Sequence, residues 1–196
     1  MNHKADKIFL IHYHEIGLKG RNRARFEEQL CRNIEQALKN IPHGRPRRIS
    51  GRLLLPILPD SPRGAIVDRL RCVFGIANFS EATETISTIE GIRETAWAIV
   101  QKVRFDSFKV ATKRSDKTFP MTSEDVNRDV GAYIQERSQA DVQMALPDLT
   151  CFIELSRQGT FIYTEKIPGP GGLPVGVSER AVSLLSSGID SPVASY

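Results

Sequence analysis

Cysteine and tryptophan are scarce in this sequence. The 196 residues include three cysteines and one tryptophan, and aromatic residues make up 7% of the chain. Because Cys31, Cys72 and Cys151 lie far apart and form no C-x-x-C pair, a disulfide framework is excluded and a reducing compartment is indicated. Each cysteine has apolar neighbours, so we expect three buried thiols that act as small hydrophobic groups.

Long hydrophobic runs are also absent. No apolar stretch approaches the roughly 20 residues that a membrane-spanning helix needs. Residues 1–7 lack the apolar core and the small-residue cleavage site of a signal peptide. With 40% hydrophobic and 26% charged residues, the composition is that of a soluble globular protein. We expect a cytoplasmic protein with no membrane partner.

A complete set of metal ligands is not evident either. His12 and His14 alternate along a predicted strand, and His43 follows much later. Since the spacing provides no third ligand, we expect ordinary histidines and no metal site.

Positive charge is present and unevenly distributed. The chain has a formal net charge of +4, whereas residues 18–52 carry ten Lys and Arg against three Glu, a net +7. The cations of this block are Lys19, Arg21, Arg23, Arg25, Arg32, Lys39, Arg45, Arg47, Arg48 and Arg52. A basic block on an otherwise slightly acidic chain is a candidate footprint for a polyanion, and a solvated helix face is the alternative.

The predicted elements of the first half follow the order β-α-β-β-α-β. Residues 8–13 are typical of a strand, and apolar residues at helical spacing predict a helix from about 22 to 40. Two short strands follow, then a helix at about 62–73 and a last strand. This order is the ferredoxin-like arrangement, so we predict an α+β fold with an N-terminal ferredoxin-like domain over residues 1–86.

The next segment predicts a second unit. It contains a helix, a strand at 107–112, a helix capped by Thr122 or Ser123, and two strands joined at Gly159. We predict a compact α/β domain over residues 87–167.

Glycine and proline then dominate the sequence. Residues 168–176 contain four Gly and three Pro, a composition incompatible with helix or sheet. We therefore predict a linker over residues 168–180, before a segment, 181–196, that starts another domain.

That last segment reads as a buried strand followed by the turn Ser186-Ser187-Gly188-Ile189-Asp190-Ser191. A strand, a Ser/Gly turn and a helix start together form a phosphate cradle. The turn lacks the Lys and Ser/Thr of a Walker loop and the three glycines of a dinucleotide fingerprint. It resembles the pyrophosphate loop of ATP pyrophosphatases, with Ser187 where Gly is usual. An ordinary turn with serine caps is the alternative.

A loop in the second unit combines cations with an aromatic side chain. Lys113, Arg114 and Lys117 lie close to Phe119, and Arg128 follows one turn into the next helix. Such a loop suits phosphate contacts and base stacking on RNA. The alternative is a solvated loop with Phe119 folded into the core.

Several motifs, in order along the whole chain, resemble those of bacterial tRNA 4-thiouridine synthetases (tRNA sulfurtransferases, the ThiI family of thiamine biosynthesis). They are Glu15–Arg23, Val73–Ile76, Thr112–Arg114, Thr122–Arg128, Gly169–Gly176 and the terminal loop. The resemblance implies a ferredoxin-like domain, a THUMP RNA-binding domain over 87–167, and the first strand and loop of an ATP pyrophosphatase domain.

The resemblance further implies a two-step reaction. ATP, with Mg²⁺, adenylates a uridine carbonyl of tRNA, and persulfide sulfur supplied by a cysteine desulfurase displaces AMP. Some members also pass sulfur to the thiazole of thiamine, and the family suggests a homodimer. The sulfur-carrying cysteine belongs to the missing domain, so no catalytic residue is expected here; we expect this chain to bind the tRNA acceptor end without catalysing thiolation or stably holding ATP.

The resemblance assigns roles to two sets of residues. Those expected to contact ATP or pyrophosphate are Val182, Ser183, Ser186, Ser187, Gly188, Asp190 and Ser191. Those expected to contact tRNA are Lys19, Arg21, Arg23, Lys113, Arg114, Lys117, Phe119 and Arg128. The alternatives are a stand-alone RNA-binding module, a small-metabolite regulatory module, and a basic block that serves homodimer contacts.

Overall fold

A computed structural model describes residues 7–49, 51–179, 182 and 188–195. Within this part, the strands are β1 (Lys7–His12), β2 (Arg47–Ile49), β3 (Arg52–Pro56), β4 (Asn78–Thr85), β5 (Ser107–Arg114), β6 (Asp141–Val142), β7 (Leu149–Ser156), β8 (Gly159–Tyr163) and β9 (Ile167–Pro168). The helices are α1 (Arg23–Ala37), α2 (Arg63–Leu70), α3 (Ile89–Val100), α4 (Ser123–Ser138) and α5 (Asp190–Ser195). Two short 3₁₀ turns, Glu15–Leu18 and Gly20–Asn22, precede α1.

The first unit has the predicted ferredoxin-like arrangement. Its strands are antiparallel in the order β2-β3-β1-β4, and α1 and α2 connect them. Helix α1 forms because Leu30, Ile34 and Leu38 recur on one face, where all three are buried against the sheet.

The second unit contains α3, α4 and strands β5 to β8. Strand β5 pairs parallel with β7, which pairs antiparallel with β8. Helix α4 begins where the sequence predicted, because Thr122 and Asp125 form a reciprocal capping box. Its buried residues, among them Val126, Val130 and Ile134, pack on β5 and α3.

A single sheet runs through both units. The order is β2-β3-β1-β4-β8-β7-β5-β6, and β9 also pairs with β4. Residues Lys7–His12 pair with one edge of β4, while the end of β4, residues 83–85, pairs with β8. The two predicted units therefore share hydrogen-bonded backbone, which their separation in sequence did not indicate.

The two faces of this sheet have separate apolar cores. The face that carries α1 to α4 holds two large clusters, one in each unit. On the opposite face Ile8, Leu10 and Leu54 pack with Phe161 and Tyr163. We call this second surface the open face.

The open face is strongly curved. Arg52 of β3 contacts Glu154 of β7, although β1, β4 and β8 lie between those strands. In a flat sheet, strands four places apart would be roughly 19 Å from each other. The contact therefore requires the sheet to curl towards its open face, which brings the two units together around a concave surface.

The Gly/Pro segment is more ordered than predicted. Ile167 and Pro168 form a short strand on β4, so the expectation that Pro168 lies outside any sheet was wrong. A proline is tolerated there because β9 lies at an edge of the ladder. The following backbone also docks, since Gly171 N donates to Ile76 O (2.8 Å) and Asn33 Nδ2 donates to Val175 O (3.0 Å).

The cysteines differ in exposure. Cys151 is buried and Cys31 is half-buried, whereas Cys72 is exposed, so the expectation of three buried thiols was wrong for Cys72. The reason is local: α2 ends at Leu70, and Cys72 lies beyond its last buried turn. Among the described helices, none combines the length and apolar character needed to cross a bilayer.

Candidate nucleic-acid interface

A pocket of about 570 Å³ opens where the two units meet. The first unit contributes the end of β1 and the turn at Gly51, and the second contributes β5, β7 and the start of α4. Strand β6 pairs only with residues 107 and 108 of β5, so in the described part the rest of that β5 edge stays uncovered and lines the pocket.

Three lysines surround this pocket. Lys109 and Lys113 are four residues apart on β5 and therefore point to the same side of the strand, and Lys166 follows β8. Among the described residues, no carboxylate lies within ion-pair distance of Lys109, Lys113 or Lys166. Lys109 Nζ donates to a backbone carbonyl, Met144 O, at 3.2 Å. The rim is therefore cationic without neutralising partners.

Aromatic side chains form one wall. The rings of Phe152 and Tyr163 stack with centroids 5.1 Å apart, and Lys166 Nζ lies 4.1 Å from the Phe152 centroid. Phe152 is partly buried, while Tyr163 is buried. Cations beside a stacked aromatic pair match the chemistry of phosphates and unstacked bases.

A buried ionic cluster forms the floor of the pocket. Glu154 makes an ion pair with Arg52, contacts His12 Nε2 at 2.8 Å, and accepts a hydrogen bond from Tyr163 Oη at 2.7 Å. Arg52 and Glu154 are each 4% exposed. Because Arg52 and His12 belong to the first unit and Glu154 and Tyr163 to the second, the cluster connects both halves of the pocket.

The cluster shifts the pKa of its members. Burial would raise the pKa of Glu154, but the His12 hydrogen bond and the charges of His12 and Arg52 outweigh burial and lower the pKa to about 2. Burial and the neighbouring carboxylate raise the pKa of Tyr163. Glu154 is therefore an anion at neutral pH, and it is bound to Arg52 and His12 inside the protein.

Several buried polar atoms at the pocket have no partner among the described residues. They include His12 Nδ1, Asn78 Oδ1 and Thr112 Oγ1, and all three residues line the pocket. Buried polar atoms are normally hydrogen-bonded, so a water or a ligand is expected to partner these atoms. No group of three or more potential metal ligands occurs within the described ranges.

Arg23, one of the predicted tRNA contacts, is part of a structural cluster. Its guanidinium donates to Glu27 Oε1 (2.8 Å) and to Tyr13 Oη (2.7 Å from Nη2), and Tyr13 also donates to Glu27. Burial and the hydrogen bond to Glu27 raise the pKa of Tyr13 to about 12. Arg23 lies next to Gly51, which lines the pocket, so this cluster adjoins the rim.

The other predicted cations of that segment, Lys19 and Arg21, are not among the residues that line the pocket. Lys19 Nζ is 5.4 Å from the Phe26 ring centroid, and Arg21 is exposed. Of these cations, Arg23 is connected to the pocket through Tyr13, which lines it.

The predicted residues of the 113–128 segment separate. Lys113 lines the pocket, and Lys117 and Arg128 are exposed. Arg114 lies on the other side of β5, and Phe119 is partly buried against the core of the second unit. The structure thus places Lys113 at the pocket and Arg114 away from it.

The predicted phosphate loop is described in part. Ser183, Ser186 and Ser187 lie outside the described residues. Of the remainder, Val182 is exposed, Gly188 lies in a bend, and Asp190 and Ser191 begin α5. The bend followed by a helix matches the expected order of elements, and nucleotide binding stays a prediction.

Sequence reasoning missed Lys109, Lys166, Phe152 and the ionic cluster. Lys109 could have been found, because Lys109 and Lys113 share one face of a predicted strand. The ionic cluster left no local signal, since Arg52 and Glu154 are about a hundred residues apart and each follows an ordinary strand pattern.

Comparison with known proteins agrees with this two-unit architecture. The ThiI ferredoxin-like domain matches residues 8–80, and the THUMP domain matches residues 87–165. The two matches follow one another in the order of the two units of the fold.

The relatives are similarly consistent. A probable tRNA sulfurtransferase of Moorella thermoacetica is 42% identical over 188 residues, which cover 95% of this chain and 48% of that protein. The chain spans about half the length of such curated relatives.

Solved structures support the fold. The crystal structure of a 4-thiouridine synthetase–RNA complex with bound ATP has a TM-score of 0.79 at 35% identity, covering 97% of this chain and 49% of that one. PH1313 from Pyrococcus horikoshii has a TM-score of 0.78 at 34% identity, covering 87% and 57%. The predicted resemblance to the N-terminal ferredoxin-like and THUMP region of tRNA 4-thiouridine synthetases is confirmed.

Proposed function

We propose that this chain is the tRNA-binding region of an ATP-dependent tRNA sulfurtransferase that makes 4-thiouridine. The observation that carries the proposal is the interdomain pocket, where unpaired lysines, an aromatic wall and unpartnered polar atoms meet. The similarity to tRNA sulfurtransferases and to an RNA-bound 4-thiouridine synthetase supports RNA as the ligand.

The chemistry of the pocket favours unpaired RNA over a regular duplex. Sequence-tolerant contacts to single strands combine a cationic groove with aromatic stacking. Lys109, Lys113 and Lys166 would contact phosphates, while Phe152 would face a base or ribose. Buried oxygen and nitrogen atoms on His12, Asn78 and Thr112 would hydrogen-bond base edges or a 2′-hydroxyl. The unpaired 3′ end of the tRNA acceptor stem has this character.

The predicted cations outside the pocket would bind the adjoining stem. Lys19 and Arg21 precede Arg23 in the chain, and Lys117 and Arg128 follow Lys113. Contacts of this kind position a nucleic acid without reading its sequence. The two predicted cationic segments would then act on one ligand.

The proposed catalytic roles belong to the whole enzyme. ATP with Mg²⁺ would activate the uridine, with Gly188, Asp190, Ser191 and the residues preceding them holding phosphate. A cysteine desulfurase would supply sulfur, the enzyme would act as a cytoplasmic homodimer, and the same sulfur could serve thiazole synthesis. This chain by itself would bind tRNA and leave it unmodified.

Filter binding tests the proposal. The ligands are tRNA, tRNA lacking its 3′ end, and double-stranded DNA of equal charge, each with the wild type and with a variant carrying Lys109→Gln, Lys113→Gln and Lys166→Gln. We expect the wild type to prefer intact tRNA, and the variant to lose that preference.

Two outcomes would contradict the proposal. Equal binding of all three ligands by the wild type would exclude a site for the unpaired 3′ end. Binding that barely changes with salt would indicate a neutral metabolite, because phosphate contacts release counterions and weaken steeply as salt rises.

A further inference from the structure

We infer that Arg114 positions the RNA-binding loop from inside the protein and does not contact RNA itself. This inference rests on the proposed function, since it assigns different roles to two adjacent cations, Lys113 and Arg114. One reaches the pocket, and the other holds the segment, residues 115–121, that links β5 to α4.

Strand geometry separates the two side chains. Successive residues of a β-strand point to opposite faces of the sheet. Lys113 is in register with Glu154, whose side chain lies on the open face, whereas Arg114 is in register with Leu155, which belongs to the core under α3 and α4. Arg114 therefore points away from the side on which Lys113 lines the pocket.

The Arg114 guanidinium makes two hydrogen bonds on that side. Its Nη1 donates to Phe119 O at 3.0 Å and to Met121 O at 2.7 Å. Both carbonyls belong to the 115–121 segment, and both hydrogen bonds are partly buried. A charged donor makes such bonds stronger than neutral ones, so they fix the path of this backbone.

The rest of the segment is anchored consistently with that role. Ser115 N donates to Leu155 O (2.8 Å), and the Phe119 side chain packs against the second core. Met121 directly precedes Thr122, which caps α4. By holding Met121 O, Arg114 sets where α4 begins, and hence where Asn127 stands relative to the pocket.

Asn127 gives this arrangement a direct connection to the ligand surface. Its Oδ1 accepts a hydrogen bond from Thr112 N at 2.8 Å, on the uncovered edge of β5, and Asn127 lines the pocket. A displaced start of α4 would move this side chain. Loss of Arg114 should therefore weaken RNA binding without removing a phosphate contact.

The test compares Arg114→Gln with Lys113→Gln, which removes the same charge one residue away. Affinity for tRNA is measured by filter binding over a series of salt concentrations, and amide hydrogen exchange is followed in the free proteins. For Lys113→Gln we expect the slope of log K against log[salt] to fall by roughly 0.7–0.9, with unchanged exchange in 115–121. For Arg114→Gln we expect an unchanged slope, weaker binding and faster exchange in 115–121.

The exchange of β7 amides serves as the control for folding and should match the wild type in both variants. A slope that falls for Arg114→Gln while the exchange of 115–121 stays unchanged would show a direct phosphate contact and overturn the inference. Unchanged slope, affinity and exchange would overturn it as well. If the wild type failed to bind tRNA, the proposed function would fall, whereas faster exchange in Arg114→Gln would still show that Arg114 holds the segment.

Discussion

The arginine-rich segment 18–52 and the lysines of the pocket carry the same charge in different settings. Half of the ten cations in the arginine-rich segment lie within ion-pair distance of a carboxylate; Arg23 pairs with Glu27, Arg48 with Glu28 and Arg52 with Glu154. Around the pocket the described part of the chain offers no such partners to the lysines. Part of the charge of the arginine-rich segment is therefore neutralised locally, whereas the charge of the pocket lysines is not neutralised by any described carboxylate.

The largest difference should appear when the buried Arg52–Glu154 pair is broken. Glu154→Gln leaves the Arg52 charge buried without its partner, which costs about 3–5 kcal/mol of unfolding free energy. Chemical denaturation at pH 7 measures the loss. The matched control is Glu84→Gln, whose partner Arg47 is 60% exposed, and it should cost less than about 1 kcal/mol. Equal losses in the two variants would remove the distinction between buried and exposed pairs.

Acid should reduce the stability difference between the wild type and Glu154→Gln. The folded pKa of Glu154, about 2, lies below its ordinary value of 4.5, so its stabilisation is present above about pH 4.5 and is lost as the pH falls towards 2. The shift corresponds to about 3 kcal/mol at neutral pH.

Denaturation of the wild type and of Glu154→Gln at pH 6 and pH 3 measures this effect. The stability difference between the two proteins should shrink by roughly 2 kcal/mol on acidification. A difference that stays constant would mean that Glu154 keeps an ordinary pKa in the folded protein.

Charge-matched variants sharpen the comparison for binding. Removing Lys109, Lys113 and Lys166 should weaken tRNA binding roughly 30-fold near physiological salt and lower the salt slope by about 2. The control removes three exposed cations of the arginine-rich segment, Arg25, Arg32 and Lys39, and should weaken binding only a few-fold, roughly, through long-range attraction. Similar losses would show that total charge matters and the pocket does not.

The smallest effects should come from the surface arginines themselves. Arg23→Gln removes hydrogen bonds to Glu27 and Tyr13 at a partly exposed site, and we expect a cost of about 1 kcal/mol. Arg45→Gln breaks a 3.8 Å contact with Glu35 at a site where Arg45 is 92% exposed, and should cost less than about 0.5 kcal/mol. Thermal unfolding of both variants measures the two losses of stability. A larger loss for Arg45→Gln would contradict the expectation that the more buried arginine contributes more.

Much of the fold could be predicted because its signals are local. The helix face of Leu30 and Ile34 and the cap at Thr122 each depend on residues a few positions apart. The segment 113–128 was found by its cations and its aromatic residue for the same reason. Which of its members reach the pocket could not be predicted, because that depends on the register of β5 against β7.

The sequence by itself determined the order of strands and helices, the two domain units and the presence of excess positive charge. Periodicity and capping act over a few residues and can be read along the chain. Tertiary structure alone decided that β4 joins the units into one sheet, that the sheet curls until Arg52 meets Glu154, and that Lys113 faces a pocket while Arg114 faces the core. These outcomes depend on pairing between residues far apart in sequence, and a local sequence pattern does not show which distant residues will be neighbours.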